Sequence, residues 1–360
     1  MQAINLKSPP IIKGQDFTKE EKEFARRNNK ILIISPCVGK RCNFFCPFCY
    51  ANSGKEEAKN QLTLSEYKQI ICDARELGTK TVRIAGWGEP FCDINFFDPM
   101  KIDFPIIDFA NSRGLYVVFF TNGSMITEKI AEKLIQKNVS IIAKMNSLKK
   151  DVQDWMAGRD GAFEMMQDGI KNLIKVGFNK FDPPRFGVES IICKKNYKEL
   201  PKIFILLREQ NILPYFEIIM HGGRGKDDTF HLSKDEAKTL FMQLLKIDET
   251  KFNYTWFPAP PYVGFPCDKL FYNLVVSDNG NTYPCYGIDI NMGNIRENPL
   301  KKILKNPKLL KIRNMMKEMH GNCAHCAHHD KCFFGCRCDA FQHGDVFGNY
   351  HECWHSYTIH

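Results

Sequence analysis

The sequence predicts an α/β chain in two parts, a partial, open (β/α)6 barrel followed by a cysteine-rich module. Three observations predict this. Six short β-rich runs alternate with amphipathic stretches between residues 31 and about 220. The alternation stops near residue 255, at the Pro-rich connection FPAPPYVGFP. Ten of the fifteen cysteines fall into two groups, one on each side of that break. A chain of 360 residues is long enough for one large core and a smaller appended unit. The expected organisation is an N-terminal extension (1–30), the barrel (31–250), a linker (251–266) and the cysteine-rich module (267–360).

The runs ILIIS (31–35), KTVRIAG (80–86), LYVVFFT (115–121), VSIIAKM (139–145), FGVESII (186–192) and LPYFEII (213–219) read as buried strands. Between them lie helical patterns at LTLSEYKQIICDARELG, from about Phe96 to Gly114, and at TEKIAEKLIQK, AFEMMQDGIKNLIKVG and NYKELPKIFILLREQ. Thr63 or Ser65 marks one helix start, and Gly78, Gly114 and Gly177 follow three helix ends. Strict β–α alternation implies parallel strands with right-handed crossovers, and chemistry at the C-terminal strand ends. After the loop HGGRGK (221–226), Ser233 to about Leu245 reads as the last helix of this part. Beyond the Pro-rich connection the chain turns to short strands, turns and cysteines.

No apolar run approaches the roughly 20 residues that cross a bilayer. The N-terminus MQAINLKSPPIIKGQDF lacks the pattern of a secretory signal, so the reading is cytoplasmic. Thiols stay reduced there, and so many of them point to metal rather than disulfides. Cys37, Cys72, Cys92, Cys193 and Cys338 lie outside the two groups and are expected to be buried small apolar residues. The formal charge of +9 comes from Lys and Arg that are scattered and often alternate with Glu, as in EEKEFARRNNK. That is the pattern of a solvated basic surface rather than a nucleic-acid face.

The first cysteine group, S-P-C-V-G-K-R-C-N-F-F-C-P-F-C-Y, directly follows the first strand and so occupies a catalytic-end loop. Cys42, Cys46 and Cys49 form C-x3-C-x2-C, which can fold around a [4Fe–4S] cube while leaving one of its four irons without a thiolate. A structural zinc site would want a fourth ligand, and none stands at a sensible offset. The next strand ends carry G-W-G-E-P (86–90), Thr121-Asn122-Gly123, K-M-N-S with Lys144 and Asn146, and then Glu189, Ser190 and Glu217. Glycine permits close backbone approach, and Glu89 offers a negative charge. Each could also be an ordinary polar cap on a strand.

Together these motifs resemble the radical S-adenosylmethionine (radical SAM) superfamily. The resemblance implies a partial TIM-like barrel in which the open iron chelates the amino and carboxylate groups of SAM. Reductive cleavage then yields a 5′-deoxyadenosyl radical. It also implies that Phe48 lies near adenine, and that Gly88 and Glu89 receive the methionine ammonium. Thr121 and Asn122 lie beside the cofactor, while Lys144, Asn146 and Ser190 are polar groups near it.

The second group reads C-x12-G-x4-C (Cys267, Gly280, Cys285), then C-x2-C-x5-C-x3-C (Cys323, Cys326, Cys332, Cys336), then Cys353. It resembles the SPASM domain, the auxiliary-cluster module of anaerobic sulfatase-maturating enzymes and related peptide and cofactor maturases. The family's ligand sharing implies one [4Fe–4S] cluster on Cys323, Cys326, Cys332 and Cys353. It implies another on Cys267, Cys285 and Cys336, one thiolate short, with its fourth iron left to substrate, water or a non-Cys group. A zinc ribbon using the histidines of C-A-H-C-A-H-H-D-K-C is the alternative.

The implied function is a SAM-cleaving oxidoreductase that takes a hydrogen atom from a peptide or protein side chain and passes an electron to the auxiliary clusters. It would use three [4Fe–4S] clusters, SAM and a reductant such as flavodoxin or ferredoxin. About 30 residues precede the first strand, too few for the leader-binding domain of many peptide-modifying relatives. That argues against leader-bound peptides, but sulfatase maturases manage without such a domain, so a peptide or protein side chain stays the first reading, with a sugar, nucleoside or tetrapyrrole intermediate as the alternative. A zinc-binding interaction protein is the reading from a different class.

Overall fold

A computed structural model describes residues 6–54 and 60–355, so the outermost residues of the N-terminal extension and of the cysteine-rich segment lie outside it. All six expected strands are present: β1 (Ile33–Pro36), β2 (Thr81–Ile84), β3 (Tyr116–Thr121), β4 (Val139–Lys144), β5 (Phe186–Ile192) and β6 (Leu213–Ile218). They pair in sequence order, each parallel to the next. Every position of β1, β2 and β5 is buried, as strands covered on both faces require.

The outer layer holds α1 (Lys19–Arg27), α2 (Leu64–Glu76), α3 (Pro105–Ser112), α4 (Glu128–Ile135), α5 (Lys150–Ala157), α6 (Ala162–Val176), α7 (Leu200–Glu209) and α8 (Lys234–Ile247). Thr63, not Ser65, caps α2, in a reciprocal pair with Glu66. Gly177 ends α6 in the left-handed region, φ 96°. The helix expected from Phe96 is shorter, because Pro105 sits at its first turn and holds Phe104 outside it. Phe96, Phe97 and Phe104 instead pack edge-on or tilted around Phe91 and Phe119.

Before the Pro-rich connection, two of these helices were not expected. The segment forming α1 reads as alternating charge, and its helix is closed by a capping box between Thr18 and Glu21. The segment forming α5 is eight residues long and has no side-chain cap.

The cysteine-rich segment does not stand apart from the sheet. β7 (Asn273–Val276) runs parallel to β1 along its full length, and β8 (Thr282–Tyr283) returns antiparallel to β7. Buried Arg313 fastens this edge by donating to the Asn273 carbonyl at 2.9 Å and to Asn29 Oδ1 at 2.6 Å. Among the described residues, no helix is long and apolar enough to cross a membrane.

Candidate active site

The loop after β1 is folded back on itself by Cys42 N–H donating to the Gly54 carbonyl (2.7 Å) and Gly54 N–H to the Lys40 carbonyl (3.1 Å). This sets Cys42, Cys46 and Cys49 along one wall of a cavity at the C-terminal strand ends. Phe44 packs with Ala157, Ala162 and Met166 against Cys42 and Cys46, so the unexpected α5 is part of the floor under the loop. The contact is close. Phe45 N–H donates to the Ala157 carbonyl at 3.0 Å, and a Cβ on Gly158 would stand 2.0 Å from the Phe45 carbonyl oxygen. Gly88 shows the same economy on the other side, where an added Cβ would meet Gly39 O at 2.1 Å and Arg41 O at 2.2 Å.

The opposite wall of the cavity comes from the other strand ends. Buried Glu89 accepts from the Thr121 hydroxyl (2.6 Å) and the Asn122 N–H (2.7 Å). Burial nevertheless pushes its carboxyl up to about 7. A carboxylate offers about four lone-pair positions, so these bonds leave room for an incoming ammonium. The Asn122 side chain donates to Asn43 Oδ1 at 2.7 Å, tying the Glu89 network to the cysteine loop.

Lys144 pairs with Glu189 at 2.7 Å. Glu217 lies beside them, and its carboxyl is pushed up by burial and by Glu189. Phe48 and Asn146 also line the cavity, and Asn146 Oδ1 accepts the Ile191 N–H at 2.8 Å. Ser190 does not line it. The two-residue period of β5 turns Glu189 and Ile191 inward and Ser190 to the opposite face, where its hydroxyl donates to the Met145 carbonyl.

The cavity reaches the cysteine-rich segment, where Cys267, Cys285 and Cys336 lie on its far side. Here a fourth thiol stands beside the three expected. Cys338, expected to be a buried apolar filler, is indeed buried but lines the same cavity as these three thiols, and the neighbouring Cys285 and Cys336 push its own thiol up. Cys336 is the N-cap of a short helix, Arg337–Gln342, whose first turn carries Cys338 back toward it. The signal was in the sequence, as the C-x-C of Cys336-Arg337-Cys338. Cys37 and Cys193 are fully buried as expected, whereas Cys72 and Cys92 are partly exposed.

Cys323, Cys326, Cys332 and Cys353 surround a separate small cavity, together with His329, Phe334 and Tyr350. This thiol set is complete without a histidine, and the His329 Nδ1 is engaged by the Cys326 carbonyl at 2.8 Å.

These donor sets fit iron–sulfur clusters. Three thiols face a space that Glu89 also lines, and two further sets offer four thiols each, the soft ligands such clusters take. Burial pushes the Cys42 thiol up to about 12 and that of Cys46 up to about 11, so cluster assembly must release protons there. When bound, a [4Fe–4S] cluster with an open iron and SAM together supply a carbon-centred radical able to abstract hydrogen.

Comparison with known proteins agrees with this geometry. The AdoMet-dependent heme synthase of Methanosarcina barkeri is 26% identical, over 83% of this chain and 89% of its own length. The mycofactocin maturase MftC of Mycolicibacterium smegmatis is 24% identical, over 83% of this chain and 76% of its own. The crystal structure of Streptococcus suis SuiB bound to S-adenosylmethionine superposes with a TM-score of 0.70 at 15% identity, covering 92% of this chain and 80% of that one. Residues 267–327 match the iron–sulfur cluster-binding domain SPASM, and residues 37–227 match the Radical SAM superfamily. With that match spanning the cysteine loop and all but the first of the six parallel strands, the chain belongs to the Radical SAM superfamily and is an enzyme of its SPASM-containing kind.

Proposed function

We propose that the enzyme takes a hydrogen atom from a carboxylate-bearing small molecule of the tetrapyrrole kind. An auxiliary cluster on Cys267, Cys285, Cys336 and Cys338 would then accept an electron from the resulting radical. One observation carries this reading. The cavity between the two cysteine groups is lined by two cations, buried Arg83 and half-buried Lys269, neither of which forms an ion pair among the described residues.

The Arg83 guanidinium lies over Phe120 (4.9 Å) and Tyr286 (5.4 Å), with its Nε unpartnered. Lys269 lies over Tyr262 (5.2 Å) and Phe265 (5.0 Å), and burial and Arg83 lower its ammonium to about 8. Cations held away from water with no carboxylate paired to them are costly, and an anion entering the cavity offsets that cost. A cluster on the four thiols would take part of the charge, and a substrate carboxylate the rest. Aromatic rings around both cations suit a flat, apolar body bearing acidic arms. The heme synthase of M. barkeri, similar over most of the chain, supports the tetrapyrrole class.

In this reading the residues divide the work. Cys42, Cys46 and Cys49 would hold the SAM-binding cluster, and Glu89, Thr121 and Asn122 would orient the methionine end beside it. Phe48 and Asn146 would border the nucleoside. Cys323, Cys326, Cys332 and Cys353 would hold a third cluster that relays the electron outward. A small reductant such as flavodoxin or ferredoxin would supply the reducing electron.

The test compares deoxyadenosine formation by reduced, anaerobic enzyme with a propionate-bearing tetrapyrrole and with its methyl esters. The free acid should support turnover and the esters should not, and Arg83→Gln should raise KM for the acid by about tenfold or more. Equal turnover of acid and ester, or turnover with peptide alone, would dismiss the carboxylate reading.

A further inference from the structure

The loop after β6 and the C-terminal segment meet in a cluster of imidazoles and carboxylates that belongs to none of the thiol sets. The His221 and His231 rings stack with centroids 3.6 Å apart. His221 Nδ1 lies 3.0 Å from Asp339 Oδ1 and 3.8 Å from Glu352 Oε1. One potential ligand atom from each of His221, His231 and Glu352 falls within 4.8 Å of the others, and the same holds for His221, Asp339 and His343.

Two acceptors in this cluster are buried without a donor. His231 is 7% exposed, and its Nε2 bonds to the Gly225 carbonyl at 2.8 Å. That nitrogen therefore carries the ring proton, which leaves Nδ1 with a lone pair, and Nδ1 meets no partner. Asp339 is 2% exposed, and its Oδ2 likewise has no hydrogen bond. His343 spends its Nδ1 on the Asp339 main-chain carbonyl at 2.9 Å. A buried lone pair without a donor calls for a cation or a donor beside it.

We propose that His221, His231 and Glu352, with Asp339 beside them, bind one divalent first-row transition metal. Two imidazoles and a carboxylate are the donor set that such metals take when open positions remain, and two carboxylates balance the charge of a divalent ion. The place gives the metal a structural role. His221 and His231 flank the loop whose Arg224 donates to carbonyls of the cysteine loop, at Cys46 and Ser53, both at 2.9 Å. Asp339 adjoins Cys338, and Glu352 adjoins Cys353. A metal here clamps the barrel loop to the segment that carries both four-thiol sets.

The holoenzyme, purified without oxygen and cleared of loosely held metal by a chelator, is titrated with Mn2+ while the EPR signal of the free ion is followed. Mn2+ is hard and leaves thiolate-bound iron in place. The wild type should remove one Mn2+ per chain from the free signal. His231→Ala and Glu352→Gln should each weaken uptake by about tenfold or more with iron and sulfide unchanged. A wild-type enzyme that leaves all of the Mn2+ free, or variants that bind as it does, overturns the site.

Should a variant lose a neighbouring cluster, the wild type still decides. Mn2+ bound between Cys338 and Cys353 must speed the spin relaxation of the reduced auxiliary clusters, and unchanged relaxation overturns the proposal. The titration needs no substrate, so its outcome is independent of the tetrapyrrole reading.

Discussion

The side chain of Arg224, on the loop after β6, reaches the cysteine loop after β1 and donates through Nε to the Cys46 carbonyl at 2.9 Å. Its second arm donates to Ser53 O at 2.9 Å, and the guanidinium lies 3.9 Å from the centre of the Phe45 ring. The first and sixth strand loops of the open barrel are thereby fastened across its mouth.

Removing that fastener should loosen the loop that carries Cys42, Cys46 and Cys49. Hydrogen bonds from a charged group contribute about 1.5–3 kcal/mol each. Arg224→Ala is therefore expected to lower cluster retention and SAM cleavage by at least about tenfold, with Arg224→Lys intermediate because it keeps the charge but loses the fork. Iron per chain and the rate of deoxyadenosine formation measure this. A variant matching wild type in both would mean that the bridge is incidental.

The four-thiol set around Cys338 makes a sharper prediction. Cys338→Ala should lower iron by about four per chain from about twelve, and remove one auxiliary-cluster EPR signal, while leaving the SAM cluster intact. Cys193→Ala, at a thiol that is fully buried in the apolar core, should leave iron unchanged. Equal iron in the two variants would return Cys338 to the status of a core residue.

The fold was legible wherever burial on both faces imposed unbroken apolar runs, which is why all six strands fell within a residue or two of their expected limits. The site was legible where backbone had to pass close to backbone, as at Gly88, or where thiols stood at cluster spacing, as from Cys42 to Cys49. Ser190 misled because strand position alone does not fix which face a residue takes, and one residue of register turns it away from the cavity. The helix α5 was hidden because eight residues without a side-chain cap leave little periodic signal; it is held by packing on Phe44 and the cysteine loop. The cluster of His221, His231, Asp339 and Glu352 is brought together from segments more than a hundred residues apart. No local spacing announces it.

Gly88 should tolerate no side chain. A Cβ there would press on two carbonyl oxygens of the cysteine loop, which are backbone atoms that cannot rotate away. Overpacking of this kind costs about 1–3 kcal/mol or more. Gly88→Ala should lower Tm by several degrees and abolish deoxyadenosine formation, whereas Gly78→Ala, where no atom lies within 4 Å of the added Cβ, should keep its activity despite its positive φ. Normal SAM cleavage by Gly88→Ala would show that the loop can retreat.

The cavity also predicts a pH dependence. Glu217 is half-buried on β6 beside the Lys144–Glu189 pair, and its carboxyl is raised to about 8, first by desolvation and then by the Glu189 charge. A group that holds its proton more tightly in the folded than in the unfolded chain contributes its full stability below the ordinary carboxylate value. That contribution declines above this value and is lost as pH rises through about 8. Glu217→Gln keeps a neutral donor toward Glu189 at every pH, so the variant and wild type should melt together below about pH 4, and the variant should be the more stable by a few degrees at about pH 9. Anaerobic thermal melts across that range test it. A difference that stays flat with pH, or grows toward acid, would mean that Glu217 is ionised in the folded enzyme and that Lys144 is shared between two carboxylates.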